Sequence, residues 1–224
     1  MFKLSRNVLL VILLIALLIV PAYGESDKIE HPIIFISVGG PISEYLYLIE
    51  LLERARVIAD LADDLNALLM VSHPLSYQNF NWSLGKIESG KYKTAIFVFG
   101  IICSEYEDSG GHRRLTDVDI IIREFKKQID FCTQNGIKMI GFQLFLNKNY
   151  LAYKSDTIKV IKEIVPHMDS LMVLRNSVDW PELGDILVEV GEGNGIPIEY
   201  LASSKLSNDY VPLLIQEVSM WFGK

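Results

Sequence analysis

The chain is poor in the residues that most often announce chemistry. It has two cysteines, Cys103 and Cys132, and four histidines, at 31, 73, 112 and 167. None of them shows His-x-x-x-His or Cys-x-x-Cys spacing, so the signature of a zinc site is missing. No Gly-x-Ser-x-Gly elbow occurs, which removes the commonest serine-hydrolase arrangement. The Gly39-Gly40 pair is not followed by Gly-Lys-Ser/Thr, so it is no P-loop, and it lacks the third glycine of a dinucleotide fingerprint. Positive charge is short as well, with 21 Lys and Arg against 28 Asp and Glu and a net charge of −7. Phosphate backbones need a basic surface, so nucleic acid is a poor partner, and electrostatic docking on anionic lipid is disfavoured for the same reason. What is abundant is apolar material. Half of the 224 residues are hydrophobic and 22% are charged, a balance that builds a core and is incompatible with a disordered chain.

The longest apolar run, Val8 to Val20, stands at the N-terminus behind Lys3 and Arg6. Pro21 ends it, and Ala22 and Gly24 supply small residues at the −3 and −1 positions of a cleavage site. This is the pattern of a secretory signal peptide, cleaved after Gly24. The run is shorter than the roughly 20 residues of a membrane-spanning helix, so an uncleaved anchor is the second reading and the one route to a membrane. The expectation is therefore an exported protein with a signal segment at 1–24 and one α/β domain at 25–224. Without the leader, 19 basic residues face 28 acidic ones.

Strands and amphipathic helices alternate through the remainder. Residues 31–55, HPIIFISVGGPISEYLYLIELLERA, open the pattern. They read as a strand over 33–37, a tight Val38-Gly39-Gly40-Pro41 turn, and a helix from about 43 to 65. Leu46, Leu48, Ile49, Leu52 and Ala55 fall at the spacing of a buried helix face. Further strands are expected at 68–72, 94–100, 138–144, 170–174 and 197–201, and helices at 77–89, 117–134, 156–164, 181–191 and 209–222. Thr116 reads as the cap of the helix at 117, with Asp117 and Asp119 in its first turn. Asn135-Gly136 reads as a glycine C-cap. Residues 101–115 read as a long loop after the central strand, and loops of that length are often functional.

Right-handed crossovers fold such an alternation into three layers. The fold class is a doubly wound, mostly parallel sheet of about six strands, Rossmann-like with a flavodoxin-like order. Cys103 then lies at the C-terminal end of a strand and Cys132 near the opposite edge, on the order of 15–20 Å away by strand rise. A disulfide needs Cα atoms within about 7 Å, so both thiols are expected to be reduced.

A longer series of short motifs runs through this frame. Gly40, Glu44 and Arg54-Ala55 come first, then Gly100 with Asp117 and Asp119. Gly136-Ile137, Ile140-Gly141, Ser155-Asp156, Pro166, Asp169, Asn176 and Gly195-Ile196-Pro197 follow. In order and spacing they resemble a bacterial family of exported α/β proteins, domain of unknown function 6305, over roughly residues 32–222. The resemblance implies export and this fold and supplies no reaction. One departure matters. After the fourth strand the family carries Gly-Gly and two arginines, where this chain reads Phe145-Leu146-Asn147-Lys148-Asn149-Tyr150; an anion site built on those arginines is in doubt here.

In a doubly wound sheet ligands bind beyond the C-terminal strand ends, where strand order reverses. Gly39 and Gly40 make either a plain strand–helix turn or a backbone anion site at a helix start. Glu44 is a first-turn helix acid or a contact in the same cleft. Ser104, Arg113 and Arg114 belong to the polar loop after the central strand, and arginines there either hold a carboxylate or phosphate or pair with Glu107, Asp117 or Asp119. Gln143, Asn147, Asn176 and Asp179 end later strands at this edge, as pocket residues or as ordinary turns. Cys103 with His112 as base lacks any supporting motif. Asp117 and Asp119 alone supply too few oxygens for a hard cation.

The leading expectation is non-catalytic binding of a small polar or anionic ligand by Gly39, Gly40, Glu44, Ser104, Arg113, Arg114 and Asn176. A cell-envelope interaction or scaffold protein with a protein partner is the alternative. A hydrolase or transferase comes third, because no nucleophile, base or metal set assembles. No catalytic residue, metal or cofactor is assigned.

Overall fold

A computed structural model describes residues 29–39, 42–62, 77–100, 102, 105–107, 113–115, 117–143, 154–174, 182–201 and 210–223. Six parallel strands make the central sheet: β1 (Ile33–Val38), β2 (Asp60–Leu61), β3 (Thr94–Phe99), β6 (Lys138–Gln143), β7 (Ser170–Leu174) and β8 (Ile198–Leu201). Their order across the sheet is β2-β1-β3-β6-β7-β8. The chain steps outward from β1 to β2, then crosses back to β3 and continues one way. Strand order therefore reverses between β1 and β3, as in the flavodoxin-like pattern expected from the sequence.

Every residue of β1 and β3 is buried. Continuous apolar runs of this kind belong to strands covered on both faces. Alternate residues feed two separate cores. Ile34, Ile36, Ala95 and Phe97 join the layer of α3 (Val118–Gln134), α4 (Lys154–Ile164) and α5 (Glu182–Gly193), with Ile87 of α2 (Tyr77–Ser89). Ile33, Phe35, Ile96 and Val98 face α1 (Ile42–Arg54) and the last helix, α6 (Tyr210–Phe222). Phe222 seals that side. Its ring stands edge-on to Phe35 and to Phe142, with centroids 5.4 Å away in each case, a preferred aromatic geometry.

Three departures from the sequence reading have local causes. The first helix stops at Arg54, not near 65. Arg56 adopts a left-handed φ of 55°, the Val57 N–H donates to the Leu52 carbonyl and the Arg56 N–H to the Glu53 carbonyl, at 2.9 and 3.0 Å. These are the paired bonds of a Schellman stop, built without the glycine that normally signals it. Among its described side chains and the turn that follows, Leu48, Leu51, Leu52 and Ala55 are buried and Ile49 is half-buried. Second, the chain released by that stop pairs at once as β2, with Asp60 and Leu61 beside Ile34 and Phe35. The strand expected at 68–72 lies outside the described residues, as does the leader at 1–24. Third, the expected loop 101–115 contains an antiparallel hairpin, β4 (Glu105–Glu107) and β5 (Arg113–Leu115). The cap of α3 is Asp117 rather than Thr116, with its carboxylate accepting the Asp119 N–H at 2.9 Å.

Candidate functional site

The C-terminal ends of β1 and β3 lie side by side, with Val38 in register with Phe99. Beyond β1 the backbone turns through Gly39 at φ 103°, a conformation that a side chain at this position would strain. The Ser37 hydroxyl donates to the Gly39 carbonyl at 3.0 Å and fixes the turn. The α1 helix begins three residues later at Ile42. Its first-turn N–H groups are unpaired within the helix and form the positive end of its dipole, so the turn presents a partial positive charge at the switch point.

Beyond β3 the Gly100 N–H donates to the Val38 carbonyl at 3.4 Å. Two residues on, the buried Ile102 N–H donates to Oγ1 of Thr157 at 3.1 Å. Thr157 stands in the first turns of α4 and is fully buried. The chain then forms the hairpin, whose register sets Arg113 opposite Glu107 and Arg114 opposite Tyr106. The position with an acid directly across is Arg113. At the start of α3, Asp119 forms an ion pair with Lys159 of α4, at 2.7 Å. That hydrogen bond raises the pKa of Lys159.

Of the residues singled out from sequence, Gly39 lies at the switch point and Arg113 and Arg114 lie on the hairpin that follows the neighbouring strand. Glu44 lies in the first turn of α1. Gln143 ends β6 and is buried. Gly40, Cys103, Ser104, His112, Asn147, Asn176 and Asp179 lie outside the described residues. Thr157 and Ser37 were not anticipated. Thr157 sits in a Lys-Ser-Asp-Thr run that reads as an ordinary helix start, and its long-range partner leaves no local signal.

The opposite edge of the sheet carries a groove of about 990 Å³ whose walls include Glu30, Lys138, His167 and Asp169. Two of these residues take part in hydrogen bonds of the fold. Asp169 accepts the Met139 N–H at 2.7 Å, and the Thr94 hydroxyl donates to the Glu30 carbonyl at 2.8 Å. Cys132 is a buried free thiol there, pushed up to about 12 by burial, far from the range of a reactive cysteine. Among the described residues no group of three or more His, Cys, Asp or Glu is placed to hold a metal, and no helix is long and apolar enough to cross a membrane. Compared with known protein families and with curated proteins, the chain matches none. The chemistry of the edge therefore rests on its own residues.

Proposed function

We propose that this chain is an exported, non-catalytic α/β domain that binds a small polar or anionic ligand at the C-terminal edge of its sheet. The observation that carries the reading is the switch point between β1 and β3, where Gly39 turns the backbone at φ 103° into the start of α1. Such a turn offers unpaired N–H groups to an anion. In the chain, Gly39, Gly40 and Glu44 follow β1, Ser104, Arg113 and Arg114 follow β3, and Asn176 follows β7, and these three parallel strands end at one edge of the sheet. Export rests on the apolar run Val8–Val20 behind Lys3 and Arg6 and on the small residues Ala22 and Gly24.

The test is a native mass spectrum of the gently purified full chain against its denatured mass, followed by titration with inorganic phosphate as the probe. Retained extra mass and saturable phosphate binding are expected. Arg114→Gln should weaken that binding more than Arg113→Gln, whose position already faces an acid. A bare mass together with no phosphate binding overturns the reading. A second reading, an envelope interaction protein, draws on Ile58, Trp82 and Met220, which are 70, 55 and 69% exposed. Crosslinking that captures one protein partner, with an empty sheet edge, would favour it.

A further inference from the structure

The excursion from β3 to α3 carries the hairpin with Arg113 and Arg114, and both of its ends meet the same element. At the outgoing end, the buried N–H of Ile102 has Oγ1 of Thr157 as its acceptor at 3.1 Å. At the returning end, Asp119, in the first turn of α3, pairs with Lys159 at 2.7 Å. Thr157 and Lys159 are two residues apart near the start of α4. We infer that the start of α4 is the positioning element of the C-terminal-edge site, with Thr157 as its principal residue. The functional half of this inference rests on the binding reading above; the structural half stands without it.

The two contacts are unequal. Thr157 is 0% and Ile102 1% exposed, so removing the hydroxyl leaves a buried donor with no acceptor, and water cannot replace it cheaply. Lys159 and Asp119 are 50 and 71% exposed at the side chain, and an exposed pair of this kind contributes little and is screened by salt. Thr157 therefore sets where the chain leaves β3, and Lys159 trims where it returns. Because α4 follows the connection after β6, the link also ties two edge connections to one helix.

The experiment is amide hydrogen exchange on the full chain, read at 105–107 and 113–115, in wild type, Thr157→Val, Thr157→Ser and Lys159→Met, with inorganic phosphate titrated into each. Valine keeps the volume and removes the acceptor. It should speed hairpin exchange about tenfold or more, the factor that an unpaired buried amide implies, and weaken phosphate binding by a similar factor, while amides of α5 and β8 keep their rates. Serine restores both readouts. Lys159→Met speeds hairpin exchange about twofold at low salt and not at high salt. Unchanged hairpin exchange in Thr157→Val overturns the inference. So does a wild-type Ile102 amide that exchanges as fast as an open loop, a measurement that decides the matter even where the valine variant does not fold. If hairpin exchange responds as stated, no form binds phosphate and no extra mass is retained, the positioning role holds and the binding reading falls.

Discussion

The two edges of the sheet are built differently. At the N-terminal edge, strand entries are tied to one another. The Lys93 N–H donates to the Pro32 carbonyl, the Lys138 N–H to the Lys93 carbonyl and the Leu171 N–H to the Pro197 carbonyl, each at 2.9 Å. Side chains reinforce this lacing, through Thr94 to Glu30, Asp169 to Met139 and Tyr92 to Asp60. At the C-terminal edge, among the described residues, a hydroxyl shapes the Gly39 turn, and Thr157 reaches from a helix to the chain leaving β3. One edge ties strand entries to one another, and the other is where the proposed ligand would meet backbone N–H groups. Polar residues at the first edge are engaged in register; at the second they set the course of connections, which is where sites in this fold class reside.

Mutations should separate the two edges. The largest effect is expected for Asp169→Ala, which strips the acceptor from the buried Met139 N–H. It should cost about 1–3 kcal/mol in denaturant unfolding and leave phosphate binding by the folded protein unchanged. Tyr92→Phe removes the 2.8 Å bond to Asp60 and should cost about 1 kcal/mol, again without touching the ligand.

Alkaline pH probes the same edge. Tyr92 is pushed up to about 12 by burial and then by its bond to Asp60, and Cys132 to about 12 by burial, from 10.0 and 9.0 respectively. Below pH 9 both groups keep their protons whether folded or not, and their contribution is complete. Between pH 9 and 12 the unfolded thiol and phenol release protons that the folded ones retain, so stability falls as pH rises. Unfolding free energy measured from pH 8 to 12 should show this decline, and Cys132→Ala should move its onset from about 9 towards 10. A flat profile across that window would contradict the burial of both groups.

A smaller effect of opposite sign is expected at the end of α1. Arg56→Gly relieves a left-handed residue and should stabilise the chain by about 0.5–1 kcal/mol, net of the backbone entropy that glycine adds. The smallest belongs to Lys126→Ala, which opens an exposed pair with Glu163 and should change stability by about 0.5 kcal/mol or less.

The helix stops show how far local sequence carries. Asn135-Gly136-Ile137 and Asn194-Gly195-Ile196 end α3 and α5 in the same way. In each the glycine has positive φ, and the asparagine side chain donates to a carbonyl four residues back, at 2.8 and 2.7 Å. The first stop was legible because glycine advertises the left-handed position; the second helix was expected to end at 191 and runs on to Gly193. The matching stop at Arg56 was not legible, and the periodicity of Leu48, Leu52 and Ala55 carried the expected helix past it and hid β2. The hairpin in 101–115 was missed for a related reason. Its strands have three residues each, too few for a period-two pattern to emerge. Of the site, the Gly39 turn could be read because strand, glycine and helix are contiguous. Thr157 could not, because its partner Ile102 lies 55 residues away.

Local sequence sets the alternation of strand and helix, the two-sided burial of the central strands and the glycine turn after α3, all of which depend on neighbours within a few residues. It also determined the acidic, cysteine-poor composition that disfavours a nucleic-acid partner. Tertiary structure alone decided which short segment flanks β1 and that one buried hydroxyl on α4 meets the chain leaving β3. Those outcomes depend on groups distant in sequence that become neighbours only when the sheet forms. A buried N–H takes whatever acceptor the packed fold brings to it, and no local pattern encodes that choice.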